Sequence, residues 1–125
     1  MNLDKVIAGF FIILAMTVNF GFFYGDIYSL ESHSKYELFA AIIINIIATI
    51  LKIGDRTQVG SVLLATSLVA DIQLIAAAIV WTVAAYAYTV DAETVATIVS
   101  LSGGALLANL VSVTLYVGDT LKSKR

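Results

Sequence analysis

The chain contains no cysteine and no proline, only one histidine and one tryptophan, and just 13% of its 125 residues are charged. Without cysteine there is no disulfide framework, no thiolate chemistry and no cysteine-ligated zinc or iron–sulfur centre. A single histidine, His33 in "LESHSK", excludes paired-histidine haem ligation within one chain and a histidine-rich metal site. Ser32 and Ser34 beside it lack the glycine elbow and placed acid of a nucleophilic triad. His33 therefore reads as a solvated loop side chain, with Glu31 near it in sequence and a titration range that could report external acidity. No cofactor and no enzymatic activity are expected. The seven basic residues are too few and too divided between connecting segments for nucleic-acid binding.

What the chain has in excess is apolar side chains, 60% of the sequence, with a mean hydropathy of +0.96. Such a composition lies outside the soluble range and belongs to an integral membrane protein in contact with lipid. Four apolar blocks stand out, at 6–24, 36–53, 59–90 and 95–117. The first, second and fourth are each about long enough to cross a ~30 Å hydrocarbon layer at 1.5 Å per residue. None shows the in–out alternation of a transmembrane barrel, so helices are the economical solution. The first block has a single Lys5 beside Asp4 and no small-residue cleavage site after it, and is read as a retained helix rather than a signal peptide. The expectation is one all-α transmembrane domain, 1–125, with four crossing helices.

Punctuation and charge support that division. Gly-Asp follows the first, second and fourth blocks, at Gly25-Asp26, Gly54-Asp55 and Gly118-Asp119, where a glycine can take the left-handed conformation that closes a helix. Lys5, Lys52, Arg56, Lys122, Lys124 and Arg125 flank one side of the four-helix layout, and Lys35 alone the other. By the positive-inside tendency both termini are cytoplasmic. In outline the chain resembles small multi-helix bacterial membrane proteins, which implies the inner membrane; no functional motif is matched residue by residue. Phe20, Phe22, Phe23 and Tyr24, with Tyr86 and Tyr88, read as an aromatic belt at the outer surface, and Trp81 as packing.

An internal repeat is legible as well. "AAIIINIIATILKIGD" (40–55) superposes without gaps on "GALLANLVSVTLYVGD" (104–119), aligning Asn45 with Asn109 and the two Gly-Asp pairs. The halves 1–58 and 59–125 would then be two parallel hairpins related by an axis along the membrane normal.

The third block poses a problem of length, since 32 residues make about 48 Å of helix. Either one long helix protrudes from the bilayer, or 59–70 forms a separate interfacial or re-entrant segment. Asp71 lies in this block and should avoid lipid, because a charge at the bilayer centre costs a few kcal/mol or more. Ser67, Ala78 and Thr82 share its face; Gln73 faces elsewhere, with Thr66 and Ala77. Asn45 and Asn109 are candidate partners from other helices. Ser100, Gly104, Ala108 and Ser112 recur every four residues on the last helix, a ladder of small residues that favours close helix packing.

An intramembrane acid points first to an ion or substrate path. The expectation is a channel or transporter subunit in which Asp71, Gln73, Asn45, Asn109 and Ser67 handle a monovalent cation or proton. Four short helices rarely enclose such a path, which implies a homo-oligomer or larger membrane complex. The alternative is a non-catalytic accessory or assembly subunit whose polar residues specify helix pairing.

Overall fold

The computed structural model describes residues 3–25, 33–55, 57–87 and 89–123. Asp26, Glu31 and Ser32 of the first connection, Arg56, Tyr88, Lys124 and Arg125 lie outside them. Four helices follow one another, α1 (Leu3–Phe23), α2 (Lys35–Lys52), α3 (Gln58–Ala87) and α4 (Ala92–Ser123). Each packs on its sequence neighbours, and α4 closes the square against α1. Contacts across the seams run antiparallel: Thr49 meets Asp71 between α2 and α3, Thr66 meets Ser112 between α3 and α4, and Asn109 meets Ala15 between α4 and α1. The start of α1 and the end of α4 share one end of the bundle, where Tyr116 Oη donates to the Lys5 carbonyl at 2.7 Å.

The helix ends follow capping chemistry. Ser34 caps α2 through its hydroxyl, which accepts from the Tyr36 and Glu37 N–H groups. Thr57 accepts from Gly60 N–H at the start of α3, and Asp91 from Thr94 N–H at the start of α4; each satisfies an N–H that the helix itself cannot. Gly25 and Gly54 adopt φ of +134° and +101°, so these two do act as stops. Gly118 does not. There α4 continues to Ser123, and a Cβ added at Gly118 would meet nothing within 4 Å. With Lys122 in its last turn, the extension carries a cation where the exposed carbonyls favour one.

Three helices, Leu3–Phe23, Gln58–Ala87 and Ala92–Lys122, are long and apolar enough to cross a membrane. The protein is an all-α, membrane-embedded bundle. In α2 the charges Lys35, Glu37 and Lys52 occupy the ends, which leaves 38–51 as its uncharged stretch. The third block forms one unbroken helix of 30 residues, because nothing in it interrupts the hydrogen-bond ladder. The bundle is apolar outside as well as inside: Phe10, Ile50, Ile72, Ile79 and Leu107 are exposed, as expected of side chains that meet lipid. Its interior is built largely from small residues. Ala41, Ala70, Ala77 and Ala105 are fully buried around Leu74 and Ile98, which lets helix backbones approach where lipid supplies no hydrophobic drive for association.

Two aromatic assignments change on folding. Phe20 and Tyr24 remain exposed, but Phe22 is wholly buried and meets Trp81 with ring centroids 6.1 Å apart. His33 is not solvated either: it is 5% exposed, its Nδ1 lies 2.7 Å from the Phe22 carbonyl, and its ring lies against that of Phe22. A carbonyl left open at the end of α1 gives the imidazole a polar partner that sequence distance conceals.

Candidate polar site between helices 2 and 3

The α2 face that meets α3 carries Asn45, Thr49 and Lys52, at spacings of four and three, and the facing stripe of α3 carries Ser67 and Asp71. These spacings put each set on one side of its helix. All five are buried, Asp71 at 8% and Lys52 at 7% exposure. The Thr49 hydroxyl donates to Asp71 Oδ2 at 2.5 Å. Lys52 Nζ donates to Ser67 Oγ, one turn from Asp71, and its ammonium attracts the carboxylate across the seam. Asn45 turns its Nδ2 back to the Ala41 carbonyl at 2.7 Å.

Counting hydrogens at Thr49 is informative. Its Oγ1 also lies 2.8 Å from the Asn45 carbonyl oxygen, so one hydroxyl hydrogen faces two acceptors. A proton on Asp71 Oδ2 would resolve the shortage by donating to Thr49, whose own hydrogen then serves the carbonyl. Asp71 Oδ1 meanwhile has no hydrogen-bond partner. Energies point the same way. Inserting a charged aspartate near a helix centre costs about 2.5–3.5 kcal/mol, whereas an interhelical polar bond contributes about 0.6 and at most ~1.7 kcal/mol. Thr49 alone does not offset an ionised Asp71; a proton on the carboxyl would remove that cost, whereas the nearby Lys52 ammonium favours the carboxylate and acts in the opposite sense.

The other predicted site residues lie on other seams. Gln73 faces α4, where its side chain fills the space a Cβ of Gly104 would occupy, and its buried Oε1 has no partner. Thr66 and Ser112 pair their hydroxyls at 2.5 Å. In the ladder, Gly104, Ala108 and Ser112 lie on the inner side of α4 while Ser100 is exposed. Asn109 is on the α1 side, donating to the Ala15 carbonyl at 3.4 Å. With its amide oriented to suit its neighbours, Asn19 donates to the Ser102 carbonyl at 3.3 Å and accepts from Asn109 at 3.2 Å. Asp71 is therefore grouped with Ser67 and Asn45, but not with Gln73 or Asn109. Lys52 and Thr49 complete the cluster. Lys52 reads in sequence as a topology-setting charge beside a Gly-Asp stop; the 45–49–52 spacing was the available sign that it shares the asparagine's face.

Outside the helices' apolar stretches, Asp55 and Asp91 are held below the ordinary carboxylate range. Backbone and hydroxyl bonds from Thr57 and Thr94, respectively, stabilise their ionised forms. Both act as turn and cap groups for the helix that follows. Among the described residues no cluster of three or more acids or histidines could hold a metal.

Residues 32–120 match a family of unknown function, DUF6394. The chain belongs to that family. The matched stretch contains α2, α3 and nearly all of α4, and so the whole Asn45–Thr49–Lys52/Ser67–Asp71 cluster. No curated protein and no solved structure matches the chain.

Proposed function

We propose that this DUF6394 protein is a subunit of a membrane transport assembly and that Asp71 is its proton-accepting group. The observation that carries the reading is the hydrogen shortage at Thr49, where the Asp71 carboxyl and a backbone carbonyl compete for one hydroxyl. A carboxylic acid that is neutral when buried and can release its proton to water is the elementary device of a proton relay. Lys52, the last residue of α2, lies between Asp71 and the connection to α3 and supplies the charge that would hold the carboxylate once the proton leaves. A monovalent cation is a weaker candidate, because an ammonium already acts on the carboxylate. In this reading α2 is the fourth crossing, both termini are cytoplasmic in a bacterial inner membrane, and several copies or a larger complex complete the path that one chain does not enclose.

The test is proton flux into liposomes containing the purified protein, with an imposed pH gradient and a trapped pH-sensitive dye. Asp71→Asn should reduce flux to the protein-free background while helix content and oligomer mass stay unchanged. Flux that persists in Asp71→Asn, or a parent protein that conducts nothing, overturns the proposal. The second reading, a non-enzymatic accessory subunit whose polar residues fix helix pairing, draws on Asn19 and Asn109, which are tied to each other and to carbonyls inside the bundle.

A further inference from the structure

A groove runs along the lipid-facing side of the α2–α3 seam, beginning at the end of the bundle where α2 starts and α3 finishes. Its first part, about 320 Å³, is lined by Lys35, Leu38 and Phe39 of α2 and by Trp81, Ala85 and Tyr86 of α3. A second cavity of about 260 Å³ shares Ile42, Ala78 and Thr82 with the first and continues to Ile75. The groove exists because α3 presents Ala78, Thr82 and Ala85 on one stripe opposite the larger Leu38, Phe39 and Ile42, leaving a furrow that the helices do not fill. From Tyr86 to Ile75 is eleven residues, about 16 Å of helix, close to half of a ~30 Å hydrocarbon layer. The furrow thus has the length of one leaflet's acyl chains.

Lys35 and Tyr86 stand at the mouth. Lys35 is the first residue of α2 and Tyr86 the last but one of α3, so with α2 crossing as proposed above, on which this inference rests, cation and phenol fall at head-group level. The Lys35 ammonium rests 5.6 Å from the Tyr36 ring centroid, on an exposed residue, and can swing to the mouth without breaking an ion pair in the core. Glu37, the nearest acid on α2, points to the other side of the helix, toward Gly21 of α1. Below the mouth the walls are apolar apart from the Thr82 hydroxyl, which donates to the Ala78 carbonyl. Apolar walls of one-leaflet length under a cation match an amphiphile with a long tail and a negative head.

We infer that the α2–α3 groove binds an anionic phospholipid, with one acyl chain along Leu38, Ile42, Ala78 and Ile75 and the phosphate head at Lys35 and Tyr86. The site is independent of proton handling at Asp71, which lies inside the seam.

Native mass spectrometry of the protein released from mixed micelles or nanodiscs of phosphatidylglycerol and phosphatidylcholine tests it. One phosphatidylglycerol per chain should be retained about fivefold over phosphatidylcholine, the preference that one lysine near a membrane surface supports. Lys35→Gln, at an exposed position that should not affect folding, is expected to remove the preference, and Ala78→Trp, which fills the furrow, to remove retention of both lipids. Lys5→Gln, at the opposite end, should change neither. Retention blind to head group, a preference that survives Lys35→Gln, or displacement by glycerol phosphate as readily as by intact lipid overturns the inference. So does an Ala78→Trp protein whose oligomer mass changes while its lipid count does not, because a second copy of the chain would then be the occupant.

Discussion

Replacing Thr49 by valine removes one hydroxyl and almost no volume, and it separates two accounts of the buried seam. If the Thr49–Asp71 contact is only one polar bond among many, its loss is small. If Asp71 is a buried acid that relies on Thr49, the loss leaves both carboxyl oxygens without a hydrogen-bond partner, since Oδ1 has none already. A hydrogen bond between neutral groups contributes about 0.5–1.5 kcal/mol, and an orphaned buried polar group costs about 1–3 kcal/mol; in a membrane, where the unfolded chain also finds partners, the observed ceiling for an interhelical bond is ~1.7 kcal/mol. The expected destabilisation by Thr49→Val is therefore about 1–2 kcal/mol. The assay is reversible unfolding of the purified protein in mixed micelles, repeated for Asp71→Asn and for the double variant. Asparagine keeps the shape at position 71 and can donate to Thr49 from its amide, so Thr49→Val should cost a similar amount in that background. Asp71→Ala should erase the dependence, giving a coupling energy of about 0.6–1.7 kcal/mol. A coupling to Asp71→Ala below roughly 0.3 kcal/mol, within the scatter expected of independent sites, would refute the claim that the carboxyl depends on Thr49.

The same structure fixes three further outcomes. Gly104→Leu should cost roughly 1–3 kcal/mol of unfolding free energy by overpacking against Gln73, whereas Gly118→Ala, in an open part of α4, should raise stability by about 0.5–1 kcal/mol; a Gly104→Leu protein as stable as the parent would show that the α3–α4 seam is looser than described. Acid should weaken the capped ends. Asp55 and Asp91 have folded values below the ordinary 3.8, so the ionised caps contribute fully above the unfolded value and the contribution is lost as pH falls through the lower folded one; melting followed from pH 6 down to about pH 3 should drop less steeply in Asp55→Asn/Asp91→Asn than in the parent, and parallel curves would remove the caps from the account.

The composition and block pattern were enough for an all-helical membrane chain of four elements, because hydrocarbon permits few ways to satisfy a backbone and length sets what can cross. Block edges came within a few residues of the helices at the first three. At the fourth, Gly118 reads in sequence as a stop because glycine can be one; the structure runs α4 through it because a glycine needs no positive φ unless the chain must turn. Gln73 and Asp71 were separable from helical periodicity alone, which places residues two apart on different faces. The burial of Lys52, His33 and Phe22 is not readable in this way. Each lies at or near a helix end, where sequence suggests water or head groups, and each is buried because a neighbouring helix supplies what water would have: the Ser67 hydroxyl, the Phe22 carbonyl, the Trp81 ring.

The sequence by itself determined that this chain dissolves in lipid, that its backbone is helical, and that one acid must find company away from hydrocarbon. Which company was decided only by tertiary structure. A helix face is a local property, fixed by 3.6 residues per turn, but the choice among three facing helices depends on how small side chains let the bundle close. Here closure sets Asp71 against Thr49 and Lys52, and gives Gln73 to α4 and Asn109 to α1.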